Sequence, residues 1–399
     1  MFCALYLYVY ISLSSQKIRK QNLRSVAVCV LFCFFVITVS ALFCACDNDK
    51  IYQITLLGSP VSFYVSDANY VKNSETDKKI TQSLYDLSER LNGVFSTEDE
   101  SQMSAYNTVI GQKEIKIDND FYQMTLLYKK LYEEFDGAVN PQVKLLVDLW
   151  GFSKRYKQPD YFKTASFDRI RNSDGSFPLP DQKYVEAFKT LSDFSLTKVY
   201  KKQNANDIHK TELFIQKSEL SVTVDNETFY SMLDYSSVVK GYFCDEAKKI
   251  FDDFGIKNYY LSAGGSSMYL AENNNDVWNL QIVDPFSQTR EGYLTIPVSG
   301  KFVSTSGTYE NRYETDGVFY SHIIDPKTGC PTKSKMVSAT VIGDNGAYTD
   351  AVSTACIILG DKAESYLLGK GYDYVLIMDD GTVVSNVYDK ITFLKSYKE

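Results

Sequence analysis

STSGTYENRY (Ser304–Tyr313), SHIIDPKTGCPT (Ser321–Thr332) and GDNGAYTDAVSTACIILG (Gly343–Gly360) lie within one short stretch, and its reading decides the fold. The stretch holds one of the two histidines, several carboxylates and turn-forming Gly and Pro among small and hydroxyl residues. Gly346-Ala-Tyr-Thr349 reads as a turn. Ala351–Leu359 is small and apolar and stops at Gly360. That pattern predicts a short helix with Thr349 or Asp350 at its start and Gly360 at its C-terminal cap. Residues four apart share a helix face. The Asp350 carboxylate and the Thr354 hydroxyl would then project together near a positively polarised helix N-terminus. Hard cations take oxygen donors of this kind, and Mg2+ keeps room for water and phosphate oxygens. A helix cap followed by a core helix would use the same residues.

Two segments upstream add to this. Asp234-Tyr-Ser-Ser237-Val-Val-Lys240-Gly241-Tyr-Phe-Cys-Asp245 places a point charge, Lys240, beside a glycine that lets backbone approach a ligand. Its plainer reading is a helix N-cap with a solvated lysine. Ala263-Gly264-Gly265-Ser266 follows an apolar strand, and two glycines there can turn N–H groups toward a diphosphate. A Gly-Gly hairpin turn is the alternative.

Taken in order, these motifs resemble the signatures of the ApbE family, the FAD:protein FMN transferases. His322-Ile-Ile324-Asp325-Pro-Lys-Thr-Gly329 and Asp350-Ala-Val-Ser-Thr354 resemble its paired C-terminal signatures, and Ser304-Thr305-Ser306-Gly307 its A-T-S-G. Asp234 to Asp245 resembles its D-x-x-x-x-x-K-G-x-x-x-D run. Val139-Asn140-Pro141 through Trp150-Gly-Phe152 resembles D-P-x-V-x-P-L-x-x-L-W-G-F, with Asn140 in place of Asp and Leu145 in place of Pro. Leu57-Gly58 falls at the family's Met-Gly-Thr. The resemblance runs from about Gln53 to near the C-terminus. It implies an α+β, T-fold-related body in which helices cover mixed sheets. It further implies FAD contacts at Leu57, Asn140, Asp234, Lys240, Gly264, Gly265, Thr305, Ser306, Gly307 and Ile324. Mg2+ would be held by Asp350, Thr354 and the main-chain oxygen of Ser237. The implied reaction moves FMN from FAD, the substrate, to a Ser or Thr hydroxyl of an acceptor protein, with release of AMP. The acceptor would be an exported or membrane-bound electron-transfer protein with a short flavinylation motif. His322 is the first candidate for the base that takes the hydroxyl proton and Asp325 the second. An FAD diphosphatase, a non-catalytic flavin-binding lipoprotein and an unrelated surface scaffold are the competing readings.

With 399 residues, 44% apolar and 23% charged, the chain can bury a large core. A formal charge of −8 gives no basic excess for binding nucleic acid. Two histidines exclude a histidine-rich metal site. Five of the eight cysteines lie in the first 46 residues, and the other three, Cys244, Cys330 and Cys356, make neither a disulfide framework nor a zinc spacing.

Residues 1–46 read as a signal segment, and 47–399 as the functional domain. Lys17, Arg19, Lys20 and Arg24 precede an uncharged apolar run of 19 residues, Ser25–Phe43. Phe43-Cys-Ala-Cys46-Asp47 resembles a bacterial lipobox, with Cys46 as the lipid-bearing residue. An uncleaved N-terminal anchor is the alternative, since the run is long enough to span, and plain secretion is the third. All three place the body outside the cytoplasm, and the first two tether it to the membrane.

Periodicity further predicts helices at Thr81–Leu91, Asp118–Phe135, Val139–Phe152, Gln182–Thr190 and Val239–Phe254. Strands are expected at Gln53–Ser66, in a meander over Tyr200–Val224, and at Asn258–Leu270, Trp278–Thr308, Val337–Gly343 and Tyr374–Met378. Phe95–Asn107 reads as a polar loop, and Ser153–Asp181 as loop-rich.

Overall fold

Met336–Gly343 and Asp373–Met378 are buried along nearly their whole length, as strands covered on both faces should be. The computed structural model, which describes residues 54–67, 70–111, 113–153, 179–204, 206–272 and 277–395, shows what covers them. Residues 1–46, read from the sequence as a signal segment, and most of the Ser153–Asp181 stretch lie outside the described residues. Residues 51–399 form one unit.

Eight strands make the main sheet: β1 (Ile54–Leu56), β2 (Ser59–Val65), β3 (Tyr259–Ala263), β4 (Ser267–Leu270), β5 (Lys301–Gly307), β6 (Met336–Gly343), β7 (Asp373–Met378) and β8 (Val383–Ser385). They pair antiparallel and lie in chain order. Alternate residues serve opposite faces. Ala339, Val341, Tyr374 and Leu376 join the core under the helices. Ile342, Val375 and Ile377 instead join Ile282, Leu294 and Ile296 of a small sheet behind, built from Trp278–Val283, Gly292–Val298 and Thr392–Phe393.

Among the described residues the α-helices are α1 (Glu75–Phe95), α2 (Gln102–Thr108), α3 (Asn119–Glu134), α4 (Lys144–Leu149), α5 (Gln182–Thr190), α6 (Ser236–Asp253), α7 (Gly346–Leu359) and the short α8 (Ala363–Leu367). A separate apolar cluster joins Leu146, Leu149 and Trp150 to Val185, Phe188, Phe229 and Tyr313. Trp150 is core, its Nε1–H donating to the Gly329 carbonyl at 2.8 Å.

Three expectations need correction. The polar stretch Phe95–Asn107 runs into α2, whose start is fixed by a reciprocal capping box between Ser101 and Ser104. The meander divides: Asp207–Gln216 pairs with Lys198–Asn204 on one side and with Glu114–Ile117 on the other, whereas Ser221–Val224 pairs with Glu227–Tyr230. Lastly, α7 begins at Gly346, not at Thr349 or Asp350. Asn345 Oδ1 accepts from the Tyr348 N–H at 2.9 Å, so the expected turn is the helix's own first turn. Gly360 does end α7, with a φ of +56°.

Candidate active site

A cavity of about 510 Å³ is bounded by the β1–β2 turn, the β3–β4 turn, β5, α6, α7 and the segment after Ser321. That volume suits a small organic ligand.

From α7, Asp350 and Thr354 reach the cavity one turn apart. Asp350 is buried, and burial pushes its carboxyl above the usual range; the Lys240 charge and the Gly241 N–H pull it back. That N–H donates to Asp350 Oδ2 at 2.9 Å. A regular helix places the Ser237 carbonyl opposite the same N–H, and a carbonyl oxygen has two lone pairs, so Ser237 keeps acceptor capacity. Thr354 Oγ1 lies 3.0 Å from Ser306 Oγ, which also meets Ser353 Oγ at 2.7 Å.

Ser237 and Lys240 come from α6, and Asp234 from the residues just before it. Asp234 Oδ1 accepts from the Ser236 N–H at 2.8 Å, which turns the chain into the helix. Ser237 Oγ shares a 2.9 Å bond with the buried Tyr128 hydroxyl. Lys240 Nζ donates to Ser266 Oγ at 2.6 Å rather than standing in solvent. Gly264 and Gly265 form the β3–β4 turn with φ of +67° and +72°. A Cβ on Gly264 would stand 3.1 Å from Ser59 Cβ and 3.3 Å from Lys240 Cδ, so the glycine admits the lysine stem.

Thr305, Ser306 and Gly307 line the cavity from β5. Leu57, Asn140, His322 and Ile324 also line it. The Asn140 amide is spent on the protein: Nδ2 donates to the Ser192 carbonyl at 2.7 Å and Oδ1 accepts from the Gln142 N–H at 2.8 Å. His322 Nδ1 is 3.2 Å from the Asn311 carbonyl. A carbonyl only accepts, so Nδ1 carries the proton and Nε2 the lone pair. Burial lowers the His322 pKa from 6.5; the Asn311 bond opposes this and the Lys240 charge adds to it. The imidazole is therefore neutral at neutral pH. Asp325 stands apart from the cavity lining, its Oδ1 accepting from the Lys327 N–H at 2.9 Å.

Sequence reasoning quoted Ser266 within the Gly-Gly turn without giving it a role and missed Tyr309, Arg290 and Glu310, all of which also line the cavity. The one local signal was Gly307: a Cβ there would lie 2.4 Å from the Tyr309 ring.

The profile of the ApbE family matches residues 51–376. The chain belongs to the ApbE family. It is 26% identical over 321 residues to the FAD:protein FMN transferase of Buchnera aphidicola subsp. Schizaphis graminum, covering 80% of this chain and 84% of that one. Against the enzyme of that name from Escherichia coli strain K12 it is 29% identical over 248 residues, 62% of this chain and 61% of the other. The crystal structure of the ApbE protein of Thermotoga maritima superposes with a TM-score of 0.65 at 21% identity, over 86% of this chain and 98% of that one. The flavin transferase ApbE of Vibrio cholerae gives 0.62 at 20% identity, over 85% and 97%. These structures share the α+β ApbE fold.

Proposed function

We propose that this chain is an FAD:protein FMN transferase that moves FMN from FAD to a Ser or Thr hydroxyl of an acceptor protein, releasing AMP with the help of Mg2+. The observation that carries the reading is the cavity: its walls bring together fourteen residues named from the family's motifs, from Leu57 to Thr354.

The donor set fits a hard cation. It consists of the Asp350 carboxylate, the Thr354 hydroxyl and the Ser237 carbonyl, all oxygens. Among the described residues no three His, Cys, Asp or Glu side chains gather as a metal group. One carboxylate with neutral oxygens leaves positions for phosphate and water, as Mg2+ requires. A buried carboxylate costs free energy unless paired, and a bound cation would keep Asp350 ionised. When bound, Mg2+ would neutralise charge on the diphosphate and on departing AMP.

The chain's own residues supply the rest. Lys240 presents a positive charge to phosphate oxygens, and the Gly264-Gly265 turn leaves room for them. Thr305, Ser306, Gly307 and Ile324 wall the nucleotide. His322 Nε2 takes the proton of the attacking hydroxyl. A bond forms from that oxygen to the FMN-side phosphorus, the bridging P–O bond breaks, and AMP leaves with the bridging oxygen and its charge.

We infer further that the enzyme works outside the cytoplasm, held at the membrane through Cys46 lipid or an N-terminal anchor. The basic cluster, the apolar run and the Cys46 context support this. The acceptor would then be an exported or membrane-bound electron-transfer protein.

The test incubates the enzyme with FAD, Mg2+ and an acceptor domain, then denatures the mixture and measures flavin fluorescence on the acceptor. Wild type should label the acceptor and Asp350→Ala should not. Full labelling by Asp350→Ala in excess chelator would refute the site. FMN released without acceptor labelling would establish a diphosphatase, and FAD binding without turnover a flavin-binding protein.

A further inference from the structure

We infer that Asp245 is a positioning residue whose carboxylate sets the register of α7 on α6, so that Ser237, Asp350 and Thr354 face one divalent cation. This rests on the cation reading proposed above.

The two helices touch backbone to backbone. A Cβ on Gly241 would fall 2.1 Å from the Gly346 carbonyl oxygen, and one on Gly346 would fall 2.3 Å from that of Gly241. Helices usually fix their register by interlocking side chains, and here two glycines meet instead. Polar links replace the missing ridges. One is the Gly241 N–H to Asp350 Oδ2 bond. The other lies one turn along α6, where Asp245 Oδ1 accepts from the Gly346 N–H at 2.6 Å and Oδ2 from the Ala347 N–H at 2.8 Å.

Those N–H groups belong to the first turn of α7, which no helix can pair internally. Asn345 already caps α7 locally through Tyr348. Asp245 therefore adds a cap supplied by a different helix, and its carboxylate sits at the positive end of α7. The proposed cation ligands divide in the same way, with Ser237 on α6 and Asp350 and Thr354 on α7. A slip of the two helices would separate the ligands even if both helices stayed intact.

Burial pushes the Asp245 carboxyl up to about 6, against the pull of the Gly346 and Ala347 N–H groups; the Glu246 charge raises it and Lys249 lowers it. A carboxylate with a raised folded pKa subtracts stability above that pKa. The fold therefore does not depend on this negative charge, and a neutral substitute should fold.

The test uses the detergent-solubilised full chain and follows Mn2+ binding by electron paramagnetic resonance, FAD binding by fluorescence without metal, and thermal melting. At pH 8, Asp245→Asn should raise the Mn2+ dissociation constant about tenfold or more, as loss of a group supporting metal ligands does. Its melting temperature and metal-free FAD binding should stay near wild type. Asp245→Glu, which restores a carboxylate on a longer arm, should recover part of the affinity. The ratio of wild-type to Asp245→Asn affinity should shrink toward one below about pH 6, where the wild-type side chain is itself protonated. Unchanged Mn2+ affinity in Asp245→Asn would overturn the inference. So would loss of folding and FAD binding in both variants, which would mark Asp245 as a fold determinant. Wild type binding no more Mn2+ than Asp350→Ala would fail the cation reading itself, and the inference with it.

Discussion

His322 reaches the cavity with Nδ1 committed to the Asn311 carbonyl, which leaves Nε2 as the basic atom. Because burial holds its pKa below 6.5, His322, the proposed base, is unprotonated at neutral pH and would be lost only in acid. The transfer rate should rise with pH, reach half its plateau below pH 6.5, and stay flat above. His322→Gln should lower the rate by about 10²- to 10⁴-fold, the usual contribution of a positioned base, and remove the limb assigned to it. Steady-state transfer measured from pH 5 to 8 checks both. A limb unchanged in His322→Gln would move the role elsewhere. His322 was legible because it is one of two histidines and sits beside a turn. Its partner was not: the Asn311 carbonyl comes from the far side of a hairpin, and the sequence offered Asp325, three residues away, only as a second candidate base.

Among the elements, α6 and α7 decide whether there is a site at all. The Gly241 Cα lies so close to Gly346 that a methyl group would overlap a carbonyl oxygen. Gly241→Ala must therefore push the helices apart, and overpacking of this kind costs roughly 1–3 kcal/mol. Chemical denaturation should show that loss, and acceptor labelling should fall well beyond what the remaining folded fraction explains. A variant as stable and active as wild type would mean that the helices tolerate separation. The sequence displayed both halves of this contact. Asp350 and Thr354 were read on one helix face, and Lys240-Gly241 in a helical run. Their approach was invisible, because no local pattern ties glycines that far apart in the chain. The position of Asp350 within α7 was also misjudged. Gly346-Ala-Tyr-Thr349 is small and polar enough to pass for a turn, yet it is the first turn of α7, capped by Asn345 and met by the Asp245 carboxylate. Polar α2 escaped for a similar reason: its capping box fixes a helix that carries little apolar periodicity.

For the whole molecule the remaining question is where the enzyme stands relative to its acceptor. The main sheet could be anticipated from strands that are apolar on both faces, but the sequential order of its eight strands rests on pairings between distant segments. Among the described residues no helix is long and apolar enough to cross a membrane. Ser25–Phe43, which lies outside the described residues, is the candidate tether. A lipidated Cys46 and an uncleaved anchor predict different products from the same substitution. Cys46→Ser removes the only sulfur of the proposed lipid site and leaves the apolar run intact. In the lipoprotein case, cells fed a radiolabelled fatty acid should label wild type and not Cys46→Ser, and the variant should keep its uncleaved leader and run more slowly on a denaturing gel. In the anchor case, neither protein takes up label and both migrate alike in the membrane fraction. Label retained by Cys46→Ser would move the lipid to Cys44. Release of both proteins into the medium would leave plain secretion, with the acceptor required to meet the enzyme in solution.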